Sequence, residues 1–590
     1  MAEELYGPRT DFGRLIHSMK YRAPEETYDD YCVRYSRTTA DDEQHFRRTL
    51  RYTRDQVILP AGRQQLSVGR PYQTTAFNCF VGPTIPDDTA GIFDVVKLGA
   101  LTMRTGGGIG WDFTPLRPEG EPIRGLGFGA LASGPVSFMG VYNSMCSTIM
   151  SAGERRGAMM GCLGIWSPDN TKFINAKRNS TALTNFNISL LVDDKFMDAL
   201  YKDGLYTLHF NGTPYGEVRA VDLWAAVMEN NWDYAEPGVL YIDRINRLNP
   251  LYYCEKISAT NPCAEQPLPP NGCCLLGSLN VTKLLSPQHH SGPALAAVAG
   301  KPIVKYTLDY DLLDDAVDAL VRTCDNVIDR TVYPLEEQKQ EEMNKRRMGI
   351  GVTGVANALE VLGLSYGSKE YLEQQDQILE RVLHRCYRTS VELAKEKGSF
   401  PLFDADKYTS GPFISKLPDD ILHGIRKYGI RNGLLTSIAP TGTISLTADN
   451  ISSGIEPVFQ LRGERDILTP EGKQTFKVED YALAFYGIEG RTASEVTAQE
   501  HIDVLCRAQK YVDSAISKTC NVNGQIGGKG PGVTFSEFKD LYLRAWEGGA
   551  KSCTTFNING KRMGIMRPDT VEEGAVCTYD PTTGTKTCEA

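Results

Sequence analysis

Asn261-Pro262-Cys263-Ala264-Glu265-Gln266-Pro267-Leu268-Pro269-Pro270-Asn271-Gly272-Cys273-Cys274-Leu275-Leu276-Gly277-Ser278-Leu279-Asn280 is the stretch on which the reading of this chain turns. It sets an amide, a thiol and a carboxylate at every second position, at Asn261, Cys263 and Glu265. In an extended loop alternate residues point the same way, so the three groups are expected to converge on one small polar molecule. Two more thiols, Cys273 and Cys274, follow closely. A lone cysteine is usually a small buried hydrophobe, so the weight of the motif depends on what else the chain carries.

The bulk properties exclude several classes. At 590 residues the chain has room for about three or four domains, and a single large α/β barrel with helical additions fits equally well. The net charge is −10 and no basic run offers a nucleic-acid face. No stretch approaches the roughly 18–20 apolar residues of a membrane span. Met1-Ala2-Glu3-Glu4-Leu5 is acidic and polar, unlike a signal peptide, so a cytoplasmic protein is expected. The 15 cysteines are scattered, odd in number and without a CxxC pair. That pattern fits thiols in a reducing compartment, a few of them redox-active, and no metal site.

Along the chain, residues 1–60 carry charged and apolar residues at helical spacing and predict a helical lead-in. Leu59-Pro60-Ala61-Gly62-Arg63 predicts a turn, Asn78-Cys79-Phe80-Val81 a short strand, and Thr105-Gly106-Gly107-Gly108-Ile109-Gly110 a flexible loop or hairpin. From about 90 to 545, helical stretches alternate with short apolar strands. Asn187-Ile188-Ser189-Leu190-Leu191-Val192 is one such strand, with Asp193-Asp194 capping the next helix. Residues 312–328 and 371–397 predict helices, and Gly349-Ile350-Gly351-Val352 a strand. Such alternation implies parallel strands with crossover helices. The tail, 563–590, is small, polar and Thr/Gly-rich, which predicts mobility.

The run Asn261–Asn280, in the order Asn-Pro-Cys-Ala-Glu followed by Cys-Cys-Leu-Leu-Gly-Ser-Leu-Asn, resembles the active-site loop of ribonucleotide reductases, and most closely the adenosylcobalamin-dependent class II. The resemblance extends from about Pro60 to Arg562. It implies a ten-stranded α/β barrel over 61–562, with the Cys263 loop threaded through its centre. It also implies the activity, reduction of a ribonucleotide to the 2′-deoxyribonucleotide. That chemistry needs a radical at C3′, and an S–H bond is close enough in strength to a sugar C–H bond for a thiyl radical to take the hydrogen and return it. The resemblance makes Cys263 the thiyl residue, Glu265 the general base at the 3′-hydroxyl and Asn261 the group that holds the ring.

The two electrons consumed imply a dithiol that closes to a disulfide. Cys79 matches the family's first redox cysteine and Cys274 the second, with Cys273 as an adjacent rival. Cys577 and Cys588 in the tail fit a shuttle that passes electrons from a thioredoxin-like reductant. Ala439-Pro440-Thr441-Gly442-Thr443-Ile444-Ser445 resembles the substrate-phosphate loop, where small hydroxyl residues, glycine and a helix N-terminus face an anion. Asn78, beside Cys79, is expected to touch substrate as well.

Gly153-Glu154-Arg155-Arg156-Gly157-Ala158, with a partner loop at Gly125-Leu126-Gly127-Phe128-Gly129-Ala130, resembles the loops that bind a deoxynucleotide or ATP effector, about 124–160. The helix 133–149 between them, bearing Val136, Phe138, Met139, Val141 and Met145, implies a homodimer. In Lys551–Arg562, threonines stand where class I large subunits carry a tyrosine pair, which favours a radical made on the spot by adenosylcobalamin. The chain has no D-x-H-x-x-G motif, so the cofactor is expected to be bound base-on. A class I large subunit with a separate radical-generating partner remains the alternative, and after it an inactive nucleotide-binding regulator. Diphosphate and triphosphate substrates both remain open.

Overall fold

A computed structural model describes residues 6–123, 129–149, 157–178, 181–288, 305–469, 472–525 and 532–561, and the backbone of two short strands at 576–579 and 586–589. The helices Asp11–Tyr21, Tyr28–Thr39 and Glu43–Arg54 form the expected lead-in. The turn expected at residues 59–63 is instead the strand Ile58–Pro60 followed by the helix Gly62–Ser67. Proline is tolerated at the strand's end, and Ala61 N–H carries the pairing one residue further by donating to Leu276 O.

A 10-stranded sheet forms the centre of the molecule. Cys79–Val81, Gly108–Asp112, Met159–Gly164, Phe186–Val192 and Gly238–Tyr241 run parallel to one another. A second parallel set contains Cys273–Asn280 beside Met348–Thr353, and Thr519–Val522 beside Ser552–Asn557. The two sets meet antiparallel at both seams, where Cys274 lies opposite Cys79 and Cys553 opposite Val239. The segment 434–438 bridges the second set. Ile350 pairs with Thr436 and Ile438 with Ile516, both in parallel. The wall therefore closes on itself as the expected ten-stranded barrel, with Ile58–Pro60 paired to the far part of Cys273–Asn280.

The Gly-rich stretch expected to be a flexible loop or hairpin enters a strand at its third glycine, Gly108–Asp112. Its glycines are there for room. A Cβ on Gly110 would stand 1.8 Å from Thr260 O, the backbone that threads the barrel. Asp193 caps the helix Asp194–Tyr201 by accepting from Phe196 N–H, as expected. The helices Tyr310–Arg330 and Lys369–Lys397 cover the outer wall, burying Leu313, Val317, Leu320 and Cys324 on one and Ile378, Val382 and Cys386 on the other. The inside of the barrel is a separate, smaller cluster that includes Cys79, Met160, Cys162, Leu240, Leu268 and Cys274.

In the helix Pro135–Thr148, Met139, Tyr142 and Cys146 face the chain's own core, and Val136, Phe138 and Met145 pack partly against it. The outward face is small and polar, with Ser137, Gly140, Ser144 and Ser147 exposed. Most of the apolar residues expected to face a partner are thus turned inward, because the barrel needs them first. Among the described residues, no helix is long and apolar enough to cross a membrane.

Candidate active site

The finger is a two-stranded hairpin, Ala259–Thr260 and Pro267–Leu268, inside the barrel. Its tip is not extended. Ala264 N–H donates to Asn261 O over 3.1 Å, closing a turn with Pro262 at its second position and Cys263 at its third. Ala264 follows at φ 67. Gln266 N–H donates to the Asn261 side-chain oxygen over 2.9 Å, and Asn261 N–H to Gln266 O over 3.1 Å. The convergence expected from alternation is therefore produced by a turn. Asparagine before proline is what such a turn prefers, and it leaves Cys263 exposed at the apex while Asn261 and Glu265 are 2% exposed.

The wall grips the finger through backbone oxygens. Asn187 Nδ2 donates to Pro262 O at 2.8 Å, and Ser437 Oγ and Ala515 N–H donate to Glu265 O at 3.0 and 3.1 Å. Asn187 and Ser437 are positioning residues that the motif reading missed. Their signal was weak, because a polar side chain in an apolar strand has many uses.

Around the tip, Asn261 Nδ2 stands 3.2 Å from Cys79 Sγ, and Cys79 Sγ lies 3.6 Å from Glu265 Oε1. Burial raises the Cys79 thiol well above its ordinary pKa, and the neighbouring Glu265, Cys274 and Cys263 push it further. Cys274 is raised in the same way, by burial first and then by Glu342, Asp513 and Glu265. Both thiols are therefore held protonated. Cys274 is Cys79's register partner across the seam, and both belong to the interior cluster. Cys273 points to the opposite face, toward Gln338 O and the Glu342 carboxyl at 3.9 and 3.8 Å.

The loop at 440–445 follows directly on the wall segment 434–438. Thr441, at φ 52, shares a 2.9 Å hydrogen bond with Thr353 Oγ1 and accepts from Gly454 N–H at 2.9 Å. Gly442 and Thr443 are exposed, and a Cβ on Gly442 would meet nothing within 4 Å. Ile444 is buried in a small cluster with Leu59 and Tyr481, and Ser445 Oγ is 3.1 Å from Ser453 Oγ. The helix expected after this loop is only a 3-10 turn, Leu446–Ala448, because Asp449 and Asn450 turn to φ 65 and 59. An anion here would be met by loop amides and hydroxyls, with little help from a helix dipole. A cavity of about 330 Å³ opens against Gly442, Ser445 and Ser453, with Thr519 also in its lining.

Asn78 is half-buried, and its Oδ1 is a buried acceptor with no hydrogen-bond partner among the described residues. On the opposite wall Thr554 is exposed, while Thr555 is buried and donates to Asn231 Oδ1 over 2.6 Å. Gly153, Glu154, Arg155 and Arg156 lie outside the described residues. Gly157 and Ala158 lead into the strand Met159–Gly164, and a Cβ on Gly157 would press on Met103 and Cys146. The side chains of Cys577 and Cys588 also lie outside the described residues, but their backbones are register partners in an antiparallel pair.

This arrangement has known counterparts. The family described as "Ribonucleotide reductase, barrel domain" matches residues 77–486 and 477–556. The chain is 31% identical over 519 residues to a vitamin B12-dependent ribonucleoside-diphosphate reductase of Mycobacterium tuberculosis, covering 83% of this chain and 68% of that protein. It is 33% identical over 524 residues to the protein of the same description from Thermoplasma acidophilum, covering 84% and 63%. To a ribonucleoside-diphosphate reductase subunit alpha of Helicobacter pylori it is 27% identical over 589 residues, covering 85% and 72%. The chain belongs to the ribonucleotide reductase family of enzymes.

Proposed function

We propose that this chain reduces ribonucleoside diphosphates to 2′-deoxyribonucleoside diphosphates by a thiyl-radical route begun with adenosylcobalamin. The observation that carries the reading is the grouping of Cys79, Cys274, Asn261 and Glu265 around the finger tip that bears Cys263. In this reading Cys263 takes the 3′-hydrogen and later returns it. Glu265 accepts the 3′-hydroxyl proton, and Asn261 fixes the ring. Cys79 and Cys274 lose two electrons and two protons in closing to a disulfide. One oxygen leaves the sugar as water and one hydrogen takes its place, so the reaction balances. Held as neutral thiols by burial, the pair has the protons that water formation needs.

The cofactor and the diphosphate are supported by the relatives, two of which are named as vitamin B12-dependent ribonucleoside-diphosphate reductases. The lumen suits such a group. Cys263 is exposed, and the paired strands Thr519–Val522 and Ser552–Asn557 carry Thr519, Asn521, Thr554 and Phe556 in register on one face. Hydroxyl and amide groups of this kind would hold a macrocycle rimmed with amides, bound base-on. When bound, the cofactor supplies the first radical to Cys263. Cys577 and Cys588 are proposed to return electrons from a thioredoxin-like protein to the buried pair. Gly153–Ala158 are proposed to bind a nucleotide effector between two copies of the chain, whose small-residue helix face permits close approach.

The test is an assay of the purified chain with a dithiol and a ribonucleoside diphosphate. Deoxynucleotide should form only when adenosylcobalamin is added, with no second protein. Dependence on a separate radical-generating subunit would instead favour the class I reading.

A further inference from the structure

Arg465 lies on the hairpin Arg462–Thr469 and Gly472–Glu479, opposite Phe476, while Gly463 lies opposite Val478. Residues opposite one another in an antiparallel pair share a face. This face turns inward, with Phe476 and Val478 packing on Phe12 and Ile16 of the first helix. The Phe12 and Phe476 ring centroids are 5.8 Å apart. The next residue pair outward, Arg462 and Glu479, makes a surface ion pair at 3.1 Å. Arg465 is thus a cation on the side where the hairpin otherwise buries apolar groups.

Among the described residues, no hydrogen bond or carboxylate engages its guanidinium, and burial alone depresses its pKa. The cavity it lines is shared with Gly442 and Ser445 of the loop, and with Glu456 and Asp480. Those two carboxylates are already engaged. Asp480 accepts from Asn357 Nδ2 and from the N–H groups of Ala482 and Leu483. Glu456 accepts from Lys518 Nζ and from Thr519 N–H, both at 2.6 Å. Taking an unpaired cation partly out of water is costly, and the cost is offset when an anion completes it. A guanidinium fork suits a phosphate that presents two oxygens.

We propose that Arg465 receives the terminal phosphate of a nucleoside diphosphate whose first phosphate lies on the loop at 441–445. This rests on the reading of that loop as the substrate-phosphate site. Arg465 then makes the site selective for a diphosphate over a monophosphate. The hairpin becomes part of substrate binding, clamped in place by the first helix.

The test is calorimetric titration of the full chain with CDP and with CMP, without cofactor, for wild type, Arg465→Ala, Arg465→Lys and Thr441→Val. Arg465→Ala should weaken CDP roughly ten-fold or more while leaving CMP within about three-fold, as loss of one charge-assisted contact predicts. Arg465→Lys should fall between, since it keeps the charge and loses the fork. Thr441→Val, which removes the hydroxyl that supports the loop, should weaken both ligands. If Arg465→Ala leaves CDP unchanged while Thr441→Val weakens it, the assignment of Arg465 fails and the loop reading stands. Equal weakening of CDP and CMP by Arg465→Ala would overturn the terminal-phosphate role. If Thr441→Val moves neither ligand, the loop reading fails and this inference with it. Melting temperatures close to wild type would establish that each variant is folded.

Discussion

Cys273 and Cys274 are neighbours in the chain and carry the same side chain, yet the wall of the barrel separates their chemistry. A strand alternates its faces, so one step along it moves a thiol from the interior cluster to the outer core. Cys274 meets Cys79 across the seam, beside Glu265. Cys273 meets Gln338 and Glu342, which belong to the helix Glu336–Lys345 on the outside. Which of the two thiols faces the interior is therefore set by register. A slip of one residue between Cys79–Val81 and Cys273–Asn280 would exchange the two thiols.

Three experiments sharpen that comparison. The largest contrast is expected from Cys274→Ser against Cys273→Ser. The first should reduce normal turnover at least ~100-fold, with base release or cofactor loss in its place, because one electron donor is gone. The second should keep turnover within about three-fold and cost ~1–2 kcal/mol of stability by burying a hydroxyl. Rapid-quench product analysis with thermal unfolding separates the two, and the reverse pattern would assign the pair to Cys79 and Cys273. Next in size is Gly110→Ala. Its new methyl would meet Thr260 O, so the finger must shift. Turnover is expected to fall ~10–100-fold with a stability loss of ~1–3 kcal/mol, and wild-type turnover in a folded variant would deny that the finger's position matters.

The smallest effect concerns the outer face. Burial raises the Glu342 carboxyl well above its ordinary pKa of 4.5. A folded-state pKa above the unfolded one means that the folded protein holds the proton more tightly. The stability this provides is fully present below about pH 4.5 and is lost as pH rises through the folded pKa. Glu342→Gln cannot lose that proton, so its melting temperature should gain on wild type as pH rises, with activity little changed. Parallel curves across the range would place an ionised carboxylate there.

The finger motif was legible because its residues are specified one by one, and the helices because their apolar spacing is long. Three things were not. The start of the Gly108–Asp112 strand looked like a flexible loop or hairpin, since room for Thr260 is a property of a partner 150 residues away. The choice between Cys273 and Cys274 could be argued from resemblance, whereas the face each occupies depends on register with Cys79. Arg465 sits among alternating charged residues and gave no signal, because its place opposite Phe476 and in the cavity lining is set by hairpin register and not by its neighbours in sequence.

Closure of the barrel around Thr260 has a consequence for how the chain is assembled. The segment 434–438 and the strands Thr519–Val522 and Ser552–Asn557 all come after the finger in sequence, and they complete the ring that encloses it. Folded chains do not pass a loop through a finished ring. The finger packs with least hindrance against the first five strands while the barrel is still an open sheet, and the later strands then seal it in. During that interval the Gly238–Tyr241 edge and the interior thiols stand uncovered, so folding yield at high concentration is expected to depend on how fast the last strands arrive.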